Sequence, residues 1–263
     1  MSSDRFFTDK LMKKLDERLR RIIDREGVDR KTVDEVFDRA TLLSLEKLIS
    51  DGILDILDFP ISTGKEGNVF RGVTPKPKKT YVAVKIYRTS NATFKHLSDY
   101  IIGDPRFSSI HNSRRDLIYA WTKKEYKNLE RAAESGVKAP KPIARRDNVL
   151  VMTYIGDEHR PAPLLKDVVL SDPKQIFTIL IDSMKNLYQK ADLVHSDMSA
   201  YNVLLYRRKP YLIDFGQGVL TEHPNAHDFL KRDIHNIVTY FKKFKIDADE
   251  NLLYAQITKK KST

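Results

Sequence analysis

Apolar residues recur with one period in the first fifth of the chain and with another immediately after it. Residues 8 to 25 set Leu11, Leu15, Leu19 and Ile22 at steps of three and four between charges, the spacing of an amphipathic helix. A second helix is predicted from Thr32, with Glu35 completing a capping box, to Gly52 through Val36, Phe37, Leu43 and Leu48. From about residue 54 the runs shorten: "ILDILDFPIS", "NVFRGV" and "YVAVKIYR" read as an antiparallel meander. Residues 88 to 113 are polar and contain Gly-Asp-Pro, which predicts a long loop. A helix from about 114 to 134 ends at Gly136, "NVLVMTYIG" is a strand, and Pro161 and Pro163 mark a link. Beyond it "SDPKQIFTILIDSMKNLYQ" is a helix with Pro173 in its first turn. The strands "NVLLY" and "PYLIDF" flank an Arg-Arg-Lys turn, and helical spacing returns from about 226.

Composition narrows this picture. A chain of 263 residues that is 41% hydrophobic can bury one large core or two smaller ones. It contains no run of about 18 apolar residues and no leader-like start, so a soluble cytoplasmic protein with no membrane partner is expected. With no cysteine, disulfides, thiolate metal sites and cysteine nucleophiles are excluded. A formal net charge of +11 favours polyanionic partners, although "KLMKKLDERLRR", "KPKK", "RRK" and "KKK" are scattered along the chain.

The stretch "ISTGKEGNVF" raises the first chemical question. A nucleoside-triphosphatase P-loop needs glycine where Phe59 stands and a hydroxyl where Glu66 stands, so Gly64-Lys65 fails at both ends. Ser62, Gly64, Gly67 and Val69 instead match the spacing of a protein-kinase glycine loop, with serine for the first glycine. An ordinary glycine turn between strands remains open on this stretch alone. The decisive segment is "LVHSDMSAYNVLLYRRKPYLIDFGQG". Asp197 and Asn202 share one loop, and Asp214 follows at the end of a strand. That set can orient an acceptor and hold magnesium against phosphates. In "VAVKIY" Val82, Val84 and Ile86 alternate with Ala83 and Lys85, which leaves a lysine in an apolar strand. Glu125 falls in line with Ile118, Trp121, Leu129 and Ala132 on the next helix, and buried opposite charges are expected to meet as a Lys85–Glu125 pair. His195 reads as a brace for its loop and Trp121 as core.

Taken in order, "STGKEGNVF", "VAVKIYRTS", "WTKKEYKNL", "IGDEHRPAPLL", "LVHSDMSAYNVLL", "LIDFGQGV" and "HPNAHDFLKRD" resemble the RIO atypical serine/threonine kinases, in their first (Rio-one) subfamily and in a compact, archaeal-like form. The resemblance implies an α+β, bilobal protein-kinase-like fold: a helical extension over 1–52, an antiparallel-sheet N-lobe over 53–152 and a reduced, mainly helical C-lobe over 153–263. It implies Asp197 as catalytic aspartate, and Asn202 and Asp214 as metal ligands, with Asp214 also a candidate phospho-acceptor. Lys85 and Glu125 would position phosphates under the loop of Ser62, Gly64, Lys65, Gly67 and Val69. Ala83, Met152, Tyr154, Ile155, Leu204 and Ile213 would complete the adenine site. ATP with Mg2+, or Mn2+, is the implied cofactor, and the pre-small-ribosomal-subunit particle, rRNA and protein together, the implied partner. The activity would be kinase, ATPase or both, with autophosphorylation.

The chain departs from ordinary protein kinases at Ser196, where arginine is usual, at Ser199, where lysine is usual, and in having no A-P-E segment. A free peptide substrate is therefore not expected. Ser108, Ser109 and Ser113 are candidate autophosphorylation sites. Two alternatives stay open at this stage: a small-molecule phosphotransferase of the aminoglycoside or choline type, and a non-catalytic ATP-binding scaffold.

Overall fold

The computed structural model describes residues 37–64, 66–75, 77, 80–89, 100, 104, 106 and 113–259. The helix expected over 8 to 25, the Thr32–Glu35 box, Lys65, most of the 76–79 turn, Ser108 and Ser109 lie outside the described residues. The chain divides into two compact units. One draws on Met1–Phe94, His111–Thr122 and Ile143–Tyr154, the other on Lys95–Ile110, Lys123–Pro142 and Ile155–Thr263.

The first unit holds helix α1 (Arg39–Ser50) and strands β1 (Ile56–Thr63), β2 (Gly67–Val73) and β3 (Tyr81–Tyr87). Strands β4 (Pro142–Arg146) and β5 (Val149–Thr153) complete a five-stranded sheet in the order β1-β2-β3-β5-β4. The meander is therefore present, and Pro60 sits on edge strand β1, where a missing N–H is tolerated. The Thr32 start predicted for the second helix lies outside the described residues, and the described helix begins at Arg39. Asp38 Oδ1 accepts the Thr41 amide at 2.8 Å, and this N-cap sets α1 to begin at Arg39. The other end follows expectation, with Gly52 at φ 73° just past the last turn.

Val82, Val84 and Ile86 alternate onto one face of β3. There they pack with Leu45, Leu48, Leu54, Leu57, Phe70, Val149 and Val151. Each such buried aliphatic side chain contributes about 1.5–3 kcal/mol. Polar side chains lock α1 to the sheet: Ser44 Oγ donates to Asp147 at 2.6 Å, and Asn148 Nδ2 donates to Thr41 Oγ1 and to the Tyr87 carbonyl, both at 2.8 Å.

Helix α2 (Arg114–Glu134) follows the predicted limits, and Ser113 caps it, its hydroxyl accepting from the Asp116 amide at 3.2 Å. The second unit is mainly helical, with α3 (Pro173–Ala191), α4 (Ala226–Lys242) and α5 (Glu250–Thr258). Two short pairs supplement them: β6 (Leu193–Val194) with β9 (Val219–Leu220), and β7 (Val203–Tyr206) with β8 (Lys209–Leu212). As predicted, α3 opens with Pro173, behind an Asp172 cap that accepts from the Gln175 amide at 2.9 Å. Strand β8 stops at Leu212, so Asp214 stands beyond the strand rather than in it. No described helix is long and apolar enough to cross a membrane.

Gly67 pairs with Tyr87 across the β2–β3 ladder, and a Cβ there would lie 2.4 Å from the Ile86 carbonyl oxygen. Gly67→Ala is expected to destabilise the protein by about 1–3 kcal/mol through overpacking, read as a lowered thermal midpoint. An unchanged midpoint with weakened ATP binding would instead make Gly67 a purely ligand-facing glycine.

Candidate active site

The segment between β6 and β7 carries His195 to Asn202, and it is held from three sides. The buried His195 ring joins Nε2 to the Ile213 carbonyl at 3.0 Å and tilts against Phe215 at 4.7 Å, so it braces one chemical segment on the other. Ser196 is fully buried with φ 67°, a backbone that L-residues rarely adopt. Its amide donates to Asp233 Oδ2 at 2.8 Å, and the Met198 amide donates to Asp233 Oδ1 at 2.8 Å. Arg232 donates to the Ser196 carbonyl, and Asn236 donates to the Met198 carbonyl at 3.2 Å. The peptides on both sides of Asp197 are thus fixed by α4.

Within this frame Asn202 uses both N–H groups on Asp197, one to its carbonyl at 2.8 Å and one to Oδ2 at 2.7 Å. The Ile213 amide donates to the Asn202 carbonyl at 3.0 Å, which brings the next segment alongside. Asp214 follows in left-handed backbone with φ 63°. Burial first, and the negative charge of Asp214 second, raise the Asp197 carboxyl above its ordinary range, while the Asn202 bond and Arg232 pull it down. Asp197, Asn202 and Asp214 are therefore gathered within one unit. Among the described residues no three His, Cys, Asp or Glu side chains form a metal cluster. The set still suits magnesium, which takes one or two protein oxygens and fills its shell with phosphates and water. The Asn202 amide, with its nitrogen on Asp197, has Oδ1 as the atom it could offer to a cation.

The other predicted residues belong to the sheet unit or to the edges of the helical one. Ser62 pairs with Val69, Val69 with Lys85, and Ala83 with Met152, which places the loop residues and the strand lysine in one continuous register. The Gly64 amide donates to the Gly67 carbonyl at 3.0 Å and closes the turn. Ser62 and Gly64 are exposed, Val69 is half-buried, and Ala83 and Met152 are buried. Lys85 is 9% exposed, with Nζ 4.9 Å from the centroid of Tyr87. Tyr154 stands edge-on to Tyr81, and Ile155 accepts the Ala162 amide at 3.0 Å. Leu204 and Ile213 are half-buried. Glu125 is 1% exposed, in line with buried Ile118, Trp121, Leu129 and Ala132 as its helical phase requires. Lys85 belongs to the first unit and Glu125 to the second.

A family model for the RIO domain matches residues 68–253. The chain belongs to the RIO family. Its relatives place it in the Rio1 branch. It is 44% identical over 232 residues to the RIO-type serine/threonine-protein kinase Rio1 of Methanocaldococcus jannaschii, covering 88% of this chain and 79% of that one. It is 37% identical over 226 residues to the serine/threonine-protein kinase RIO1 of Homo sapiens, covering 84% of this chain and 39% of that one. Among solved structures, the Rio2 kinase of Chaetomium thermophilum in its ADP/Mg2+-phosphoaspartate complex superposes with a TM-score of 0.65 at 21% identity, over 84% of this chain and 67% of that one. That likeness establishes the bilobal, kinase-like α+β fold.

Some residues that stand in the quoted motifs support the site although the motif reading gave them no role. Asp233 is the clearest. It lies on the buried stripe of α4 with Leu230, Ile234 and Ile237, so an acidic residue in an apolar phase was the available signal. Burial pushes its carboxyl up to about 7, against the two amide bonds and Arg232. With the unfolded value near 3.8, the folded state holds this proton more tightly between about pH 4 and 7. The contribution of Asp233 to stability therefore falls as pH rises through that window. Asp233→Asn is expected to flatten this slope in thermal melts. At neutral pH it should also leave one loop amide facing an NH2 group, at a cost of about 1–3 kcal/mol and with slower turnover.

Proposed function

We propose that this chain is an ATP- and magnesium-dependent atypical serine/threonine kinase with ATPase turnover, which phosphorylates itself and acts in the cytoplasm in maturation of the small ribosomal subunit. The observation that carries the reading is the joint held by Asn202: its amide is bonded to Asp197 while the adjoining backbone presents Asp214. Asp197 orients the acceptor group and takes its proton, for which a carboxyl raised above the ordinary range is suited. Asn202 Oδ1 and the Asp214 carboxylate hold the cation. Magnesium, or manganese in its place, supplies charge neutralisation at the β- and γ-phosphates when bound.

By the family resemblance, Lys85 and Glu125 are the residues proposed to position the phosphates, and Ser62, Gly64, Lys65 and Gly67 those proposed to cover them. Val69, Ala83, Met152, Leu204 and Ile213 supply apolar surface for adenine, and the backbone of Met152 to Ile155, with Tyr154, its hydrogen-bonding edge. The phosphoaspartate of the Rio2 complex supports Asp214 as an acceptor: its carboxylate oxygen takes the γ-phosphoryl group as ADP leaves, and water later releases phosphate. A net charge of +11 supports a particle rich in rRNA as the partner.

Incubation with γ-labelled ATP and magnesium tests the reading. Wild type is expected to hydrolyse ATP and take up label, and Asp197→Ala to lose about 10²–10⁴-fold in rate. Asp214→Asn is expected to lose the acid-labile, acyl-phosphate label. Absence of both hydrolysis and label in wild type, with and without small-subunit particles, would sink the enzymatic reading. Cosedimentation with the particles should weaken steeply between low and moderate salt.

A further inference from the structure

Lys124 and Asn128 stand one turn apart on α2 and reach the same short loop, the four residues after Asp214. Lys124 Nζ donates to the Gly216 carbonyl at 2.9 Å and also to the Gly218 carbonyl. Asn128 Nδ2 donates to the Phe215 and Gly218 carbonyls, both at 2.8 Å. Three carbonyls in this loop therefore point at one helix face. The Asn128 amide is held against turning over, because its Oδ1 accepts from Arg106 Nη1 at 2.9 Å. Arg106 is fixed in turn by Asp104, through Nε at 2.9 Å and Nη2 at 2.6 Å. Gly218 is required for the fit, since a Cβ there would come within 2.9 Å of Asn128 Nδ2 and 3.2 Å of the Phe215 carbonyl oxygen.

Lys124 and Asn128 are both 0% exposed and Asp104 is 3%. Burying an ammonium is unfavourable unless its donors are met. Here burial, and then the Arg106 charge, push Lys124 down to about 7 against the pull of Asp104 and Glu125. An apolar side chain could fill the same space without that penalty. What it could not do is fix the direction of a carbonyl.

We infer that Lys124 and Asn128, backed by Arg106, are positioning residues that set the Phe215–Gly218 backbone and so aim the Asp214 carboxylate at the nucleotide-bound cation. The inference rests on the reading of Asp214 as a metal ligand. Its logic is that of outer-shell groups in metal sites, whose loss typically weakens metal binding about 10–100-fold.

The test uses the full chain with ADP present and follows Mn2+ binding by electron paramagnetic resonance, alongside metal-free ADP binding and the thermal midpoint. Asn128→Asp keeps the size and the Arg106 bond but turns an acceptor toward two carbonyls. Lys124→Met removes the ammonium at similar length. Both are expected to weaken Mn2+ binding by about tenfold or more while metal-free ADP affinity stays within about twofold. Arg106→Lys, one bond further from the loop, should shift Mn2+ affinity in the same direction by less, and it serves should the helix variants not fold. Unchanged Mn2+ affinity in folded variants would overturn the inference, as would equal loss of metal-free and metal-dependent binding. Asp214→Asn separates the two levels. If it abolishes the metal dependence while the helix variants do not, positioning alone has failed. If it leaves Mn2+ binding intact, the metal-ligand reading has failed and takes the inference with it.

Discussion

The paired acceptance of the Ser196 and Met198 amides by Asp233 is the interaction on which the geometry of the helical unit depends. A loop that presents Asp197 outward has few ways to satisfy its own peptide groups, and buried donors left unmet are costly. One carboxyl inserted from α4 meets two of them at once. With those bonds made, the left-handed turn at Ser196 can be sustained, since local backbone strain persists only where the surroundings over-determine it. Asp214, in the same backbone region, receives support of the same kind from the other side, through the carbonyls of the residues that follow it.

The site is thus a pair of irregular loops, each fastened by polar side chains from a regular helix. α4 holds the Asp197 segment and α2 the Asp214 segment, while His195 and Asn202 tie the loops to each other through the Ile213 peptide. Helices are stiff and their side chains project at fixed angles, so they transmit a defined direction to backbone that has no ladder of its own. The sheet unit obtains the same precision differently, by register. Val69, Lys85 and Leu150 face one another across three strands, and the bulk on the opposite face leaves that register no alternative.

Much of this was legible in the order of residues, and the reasons are specific. The limits of α2 and α3 follow from strong periodicity bounded by Gly136, Asp172 and Pro173. Glu125 was placed on a buried face because phase alone requires it. The start of α1 at Arg39 was not read from the sequence, because Asp38 caps it through the Thr41 amide inside a stretch whose apolar residues, Phe37 and Leu43, run on without a visible break. β6 and β9, two residues each, are too short to show any period. Asp233, Lys124 and Asn128 stand in the quoted motifs but were given no role, because they act through backbone carbonyls and amides, which carry no residue identity. Only their burial against the expected polarity betrays them.

The two hydrogen bonds from Asn202 to Asp197 bear on the charge that the set can offer a cation. Because the amide nitrogen is committed, Asn202 has only its neutral oxygen to offer, and the formal negative charges of the set rest on Asp197 and Asp214 alone. One of those, on Asp197, is already softened by burial and by its neighbour. Two such carboxylates attract a divalent ion only weakly against its hydration shell. On the proposed reading the polyphosphate would bring most of the negative charge, and the cation would enter as the companion of the nucleotide.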